Sequence, residues 1–239
     1  MPPIKHIKQA GYTMNQTIEM YKHTNNINTK VCYCGRLDPM ARGLVYLLVG
    51  DDCKMMPFYN SHSKEYTFEI LFGISTDTDD PLGIIDNIDF NCYNDKLVDM
   101  IKQYIMPSTF MQEYHDYSSK KYKGKSLWWY AKNKIEIKKP SHEVTINSIM
   151  YHDIKTYNFN EWVIDTINCI NLIDKSNNFR QDATIDQYNK IDYKDYIYSL
   201  PITINVTSGF YIRQLVCDIK KHLKIPIITY DINRNKIYK

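Results

Sequence analysis

Glycine is scarce in this chain: eight residues in 239, with nine prolines and no Gly/Ser tract. A flexible linker or a low-complexity arm is therefore not expected. No apolar run approaches the roughly 18 residues needed to cross a bilayer, so no membrane partner is expected. The opening MPPIKHIKQAGYT lacks the apolar core of a signal peptide, and the expectation is a cytoplasmic protein. The six cysteines (Cys32, Cys34, Cys53, Cys92, Cys169 and Cys217) form no CxxC pair, and no histidine follows at zinc-finger spacing. They read as reduced thiols, which leaves no metal and no disulfide framework. A net charge of +3 is too small to point to a partner by itself.

The length and an apolar fraction of 44% suit a globular chain with a real core, read as one domain over 1–239. Residues 14–24 read as a short helix with Ile18 and Tyr21 on one face. LVYLLVG (44–50) reads as a buried strand. EYTFEILFG (65–73) alternates, with Tyr66, Phe68, Ile70 and Phe72 on one face and Glu65, Thr67 and Glu69 on the other, as in a half-buried strand. STDTDDPLG (75–83) is turn chemistry. Helical spacing covers 95–105, where Pro107 stops it, and 211–223, where Ile212, Leu215, Val216, Ile219 and Leu223 share a face. Further strands are expected at 143–150, 161–170 and 201–206. The polar stretch 174–196 has little periodicity and reads as an insertion or mobile loop, with an undetected irregular helix as the alternative. Strands and helices mixed without strict alternation favour α+β.

Two stretches call for more than a structural reading. CGRLDPMARGLV (34–45) places a carboxylate, Asp38, in a glycine-punctuated turn between apolar runs. A turn-capping Asp before Pro39 would explain it locally. Residues 120–139 hold eight lysines and a single acid, Glu136, interleaved with Tyr122, Trp128, Trp129 and Tyr130. Lysines beside aromatics can meet phosphates and stack on bases; a solvated amphipathic helix fits equally well.

GRLDPMARGLVYLLVGDDCK resembles the active-site segment of the TruB-type pseudouridine synthases, with Gly35, Leu37, Asp38, Pro39, Ala41, Gly43, Gly50 and Lys54 in register. Four more blocks follow the same family in order. KQAGYTMNQTIEMYK matches at Lys8, Gly11 and Thr13. KEYTFEILFGISTDTDDPLG matches at Lys64, Tyr66, Gly73, Thr76, Thr78, Asp80 and Gly83. QEYHDYSSKKYKGK matches at Gln112, Tyr117, Ser118, Lys121 and Gly124, and TSGFYIRQLVCDI completes the set. Five ordered blocks carry far more weight than one motif.

The resemblance implies a pseudouridine synthase fold: a mixed, mostly antiparallel central sheet flanked by helices around a catalytic cleft. It implies isomerisation of uridine to pseudouridine in RNA without a cofactor, with uridine 55 in the T-loop of tRNA as the expected target and a monomer as the expected form. Asp38 would be the nucleophile, Arg213 the cation that keeps it ionised, and Tyr66 the acid/base stacked on a flipped uracil. Tyr211 would pack against the base. Lys8 and Lys64 would take structural or phosphate-side roles, and Lys120 and Lys121 would hold the RNA backbone. The chain departs from the family at Tyr33, where a histidine near the flipped nucleotide is usual. Arg36 is a further departure and makes GRLD closer to the Rsu and Rlu branches. Other departures are Gln9, Cys53 and the pair Tyr114–His115, which replaces Pro-Pro. A C-terminal PUA domain is not expected, and the 174–196 insertion could supply part of its surface. Two alternatives stay open: a non-catalytic RNA-binding or tRNA-folding protein, and a synthase acting on another structured RNA such as mRNA.

Overall fold

The computed structural model describes residues 2–238. The chain runs β1 (Ile4–Lys8), α1 (Met14–Thr24), β2 (Val31–Cys34), β3 (Arg42–Val49), α2 (Met56–Asn60), β4 (Lys64–Phe72), β5 (Ile74–Thr76) and β6 (Ile85–Ile88). It continues α3 (Asp95–Tyr104), β7 (Ser108–Glu113), β8 (Lys121–Tyr122), β9 (Lys125–Ser126), α4 (Leu127–Lys132), β10 (Ser141–Tyr151) and β11 (Lys155–Asn158). It closes α5 (Phe159–Asn171), α6 (Gln181–Tyr188), β12 (Tyr196–Val206), α7 (Ile212–Leu223) and β13 (Ile227–Ile237).

The central sheet has the order β1-β3-β13-β4-β12-β10-β7, with β2 added on β3 and β11 on β12. Only the β3–β13 pairing is parallel; the others are antiparallel. This is the mixed, mostly antiparallel α+β architecture expected above. The short β5–β6 and β8–β9 ladders stand apart from it.

The main core lies on the face lined by Tyr66, Phe68, Ile70 and Phe72, and α3 and α7 pack there through Leu97, Ile101, Leu215, Val216 and Ile219. α1 starts where the sequence places it, because Thr13 and Gln16 form a reciprocal capping box. α7 is buried on more than the expected stripe, since Arg213 and Gln214 are buried with their apolar neighbours.

Three expectations need correction. Residues 161–170 are not a strand but the body of α5. Their β-branched content suggests extended chain. Asn158, however, caps a helix by accepting from the Glu161 N–H, and Phe159, Trp162, Thr166 and Ile170 recur at helical spacing on its buried face. Residues 174–196 are not a loop throughout; the alternative of a helix is the one realised. They contain α6, which buries Gln181, Thr184 and Tyr188, and they end in the first residue of β12. The stripe is short and two of its three members are polar, so hydropathy does not report it. Finally, β4 is not half-buried throughout. α5 and α6 cover its second face, where Leu71 joins Trp162, Tyr188 and Ile228 in a second core. Glu69 is buried there and satisfied by Lys155, Tyr157 and Ser199.

β3 and β13 approach closely at Gly43, which sits opposite Arg234 in the parallel ladder. Its φ is 110°, and a Cβ there would lie 2.5 Å from the Arg234 carbonyl oxygen. Gly50 also has positive φ but has open space around it. We expect Gly43→Ala to cost at least about 3 kcal/mol in urea unfolding, against about 1 kcal/mol for Gly50→Ala. Equal losses would show that backbone conformation alone matters at Gly43.

Candidate active site

Asp38 opens a tight turn. Its carbonyl accepts from the Ala41 N–H at 3.0 Å, and Pro39 follows it, the residue whose fixed φ suits that position. The turn is held from behind by buried cations. Lys8, fully buried, donates its amine to the carbonyls of Gln9 (3.0 Å), Pro39 (3.1 Å) and Ala41 (2.5 Å). Arg234 donates to the carbonyls of Gly35 and Leu44 at 3.0 and 2.6 Å. Lys64 donates to those of Asn60 and His62, and Asn60 in turn accepts from the Gly35 N–H. Burial pushes both lysine amines down to about 8. Neither amine is available to a phosphate. Both are spent on backbone carbonyls of the turn and of the segment around Asn60.

Arg213, on the first turn of α7, reaches Asp38 from the other side. Its Nε donates to Asp38 Oδ2 at 2.8 Å and lies 3.5 Å from Asp80 Oδ2. Nη1 donates to the Thr78 carbonyl and to His115 Nδ1, and Nη2 donates to the Tyr117 carbonyl. Burial alone would raise the Asp38 pKa. The guanidinium outweighs it and holds the carboxyl below the usual range. Asp80 shares the same arginine at longer range. Burial dominates there, and its carboxyl is pushed up to about 6. One cation thus serves two acids whose environments drive them apart, the pattern of a site that keeps one carboxylate charged.

Asp38, Arg36, Thr78, Asp80, Tyr117 and Arg213 line a cleft of roughly 310 Å³. Trp128 and Lys132 of α4 and Arg180 at the start of α6 stand on its wall. Asp38 also borders a smaller cavity of roughly 90 Å³ toward α5. Asp38 uses Oδ2 for Arg213, and its Oδ1 has no hydrogen bond to a described residue.

The structure brings Asp38, Arg213 and Arg36 together. Tyr211, two residues before Arg213 at the start of α7, is pushed up to about 12 by burial and by the charge of Asp38. Tyr33 accepts a 2.7 Å hydrogen bond from Arg36 at the rim. Lys120 sits 4.5 Å over the ring of Tyr114, which meets Tyr211 edge-on. Lys121 is exposed on the β8–β9 hairpin. Tyr66 lies in the main core beside Ile204 and Arg234 in the ladders, and it lines neither cavity. Four contributors had no site role read from the sequence: Asp79 and Arg180 were not named there, Asp80 was only a matched turn position, and His115 only a departure from Pro-Pro. Arg180 grips both oxygens of Asp77 and lies over the Tyr117 ring. Among the described residues no cluster of three or more His, Cys, Asp or Glu side chains could hold a metal.

Asp80 makes stability depend on pH in an unusual direction. Its folded pKa of about 6 exceeds the unfolded value of about 3.9. The folded state therefore binds more protons between those values, and stability falls as pH rises through the window. Asp80→Asn removes that term. Its stability relative to wild type is expected to climb by on the order of 2 kcal/mol from pH 4 to 6.5 and then level off. Urea midpoints across that range test it, and parallel curves would contradict it.

The sequence model described as "TruB family pseudouridylate synthase (N terminal domain)" matches residues 22–168, more than half of the chain. The chain is similar to tRNA pseudouridine synthase B of Caldicellulosiruptor saccharolyticus, 34% identical over 149 residues, covering 60% of this chain and 48% of that protein. It is similar to tRNA pseudouridine synthase B of Caldanaerobacter subterraneus subsp. tengcongensis, 28% identical over 222 residues, covering 92% and 63%. The chain thus spans about half to just under two-thirds of the length of these relatives. Among solved structures it resembles a chain of a Cbf5-Nop10-Gar1 complex, with a TM-score of 0.55 at 13% identity, covering 97% of this chain and 47% of that one. It also resembles a chain of an H/ACA RNP bound to a substrate RNA containing 2'-deoxyuridine, with a TM-score of 0.53 at 12% identity, covering 97% and 45%. At such identities these likenesses show the fold, while the sequence match across the Asp38 turn shows the lineage: the chain belongs to the TruB family of pseudouridylate synthases.

Proposed function

We propose that this chain is an RNA pseudouridine synthase that isomerises uridine to pseudouridine, with uridine 55 in the T-loop of tRNA as its target. The observation that carries the reading is Asp38 on a braced turn at the wall of an open cleft, its carboxyl hydrogen-bonded to buried Arg213. The reaction breaks the N1–C1′ bond and joins C5 to C1′. C5 loses a proton and N1 gains one, so substrate and product are isomers and no cofactor enters the balance. The step needs a carboxylate beside the ribose, as nucleophile or as stabiliser of charge developing on the sugar. Asp38 offers Oδ1 for that role while Arg213 occupies Oδ2.

The target nucleotide would leave its stack to enter the cleft, at a cost of a few kcal/mol. Tyr211 would pack against the base, and Tyr66, to serve as the acid/base that the resemblance implies, would have to reach the nucleotide from its core position outside the two cavities. Arg36, Lys120, Lys121 and Lys132 would meet phosphates. Trp128, 46% exposed on the cleft wall, presents an indole face on which a neighbouring base can stack. The names of the relatives support tRNA as the RNA class.

Tritium release from a T-loop minihelix and a full tRNA transcript, both labelled at uracil C5, tests the reading. Wild type should release tritium from both, and Asp38→Asn should bind the RNA with unchanged affinity and release none. Retained release by Asp38→Asn would refute the role of Asp38; binding by wild type with no release from either RNA would favour a non-catalytic protein. Trp128→Ala should weaken RNA binding by about 1–3 kcal/mol without changing the melting temperature. An unchanged Kd would remove Trp128 from the RNA path.

A further inference from the structure

His115 lies on the loop after β7 and is buried. Its ring is held from both sides. The backbone N–H of Tyr117 donates to Nδ1 at 3.1 Å, and Arg213 Nη1 approaches the same atom at 3.3 Å. A backbone N–H can only donate and so can a guanidinium, so Nδ1 must carry a lone pair. The ring proton therefore sits on Nε2, which donates to Asp79 Oδ2 at 3.0 Å. Asp79 is fixed in turn: Lys220 of α7 pairs with its Oδ1 at 2.6 Å, and its carbonyl accepts from the Thr229 N–H. Burial and the charge of Arg213 keep the His115 pKa below its ordinary value, which agrees with a neutral ring.

The placement has a chemical logic. Arg213 already faces Asp38 and Asp80, and Asp79 lies just behind His115. Another carboxylate on Nη1 would compete with Asp38 for the cation. An apolar side chain would leave a buried N–H unpaired, at a cost of about 1–3 kcal/mol. A neutral imidazole nitrogen offers an acceptor without a charge. With the carbonyls of Thr78 and Tyr117, it holds the guanidinium plane with Nε directed at Asp38.

We propose that His115, locked as its Nε2–H tautomer by Asp79, is a positioning residue that sets the orientation of Arg213 and, through it, of Asp38. Its kinetic consequences rest on the synthase reading above; its geometric claim does not. Two variants separate the acceptor from the ring. His115→Phe keeps the shape and removes all three hydrogen bonds of the ring. His115→Asn removes the ring and places an amide oxygen where Nδ1 was.

The experiment pairs kinetics of pseudouridine formation on the T-loop minihelix with the NMR signal of the Arg213 Nε–H, measured on both variants and wild type. For His115→Phe, kcat should fall on the order of 10²-fold with KM unchanged, and the Nε–H signal should move toward that of a solvent-exposed arginine. His115→Asn should recover most of kcat and the wild-type signal. Wild-type kcat in His115→Phe, equal kcat losses in the two variants, or a raised KM with kcat intact would overturn the proposal. Should wild type form no pseudouridine, the synthase reading fails, and the Nε–H signal decides the positioning claim: unmoved in His115→Phe, it contradicts the claim, and moved there but restored in His115→Asn, it supports it.

Discussion

The site depends on keeping one carboxylate charged in a place that disfavours charge. Asp38 stands on a turn packed against the core, and its low-dielectric surroundings would favour the neutral acid. Arg213 reverses the balance at 2.8 Å. A buried arginine is itself costly unless its donors are met, so the pair draws in acceptors from several elements. Thr78 and Tyr117 contribute carbonyls, His115 a ring nitrogen, and Asp80 a second, more distant carboxylate. The segment between β5 and β6 and the loop after β7 are shaped around those demands.

Behind the turn the same economy recurs with opposite sign. Lys8, Lys64 and Arg234 are buried, and they donate to backbone carbonyls. Each cation ties backbone around the Asp38 turn to a neighbouring element, and Lys8 also places its charge near the carboxylate. Arg234 lies in β13 beside Gly43, so the close β3–β13 approach and the bracing of the Asp38 turn are one feature. A side chain at Gly43 would push back the strand that carries the brace.

Much of this was legible in the residues. The helices over 14–24, 95–105 and 211–223 and the strand 65–73 follow from periodicity, and the Asp38 turn follows from Asp-Pro and its flanking glycines. The meeting of Asp38 with Arg213 came only from family resemblance, because 175 residues separate them and no local pattern links them. α5 was hidden because Val163, Ile164, Thr166, Ile167 and Ile170 favour extended chain, while its cap and its spaced Phe159, Trp162, Thr166 and Ile170 decide the outcome. α6 was hidden because Gln181 and Thr184 hold part of its buried face. The roles of Lys8 and Lys64 were open for a different reason: an amine suits a phosphate or a carbonyl equally, and only burial tells them apart. His115 read merely as a departure from Pro-Pro. Its partners lie 36 and 98 residues away.

The central claim is that Arg213 holds Asp38 ionised. The most direct test is an NMR titration of the Asp38 carboxyl carbon in the free protein, beside an Arg213→Met variant whose folding is verified. The account predicts that wild-type Asp38 remains charged down to pH values below about 3.9, the ordinary value for an aspartate, and that loss of Arg213 raises its pKa. An Asp38 that takes up its proton near neutrality in wild type, or that titrates identically without Arg213, would contradict the account.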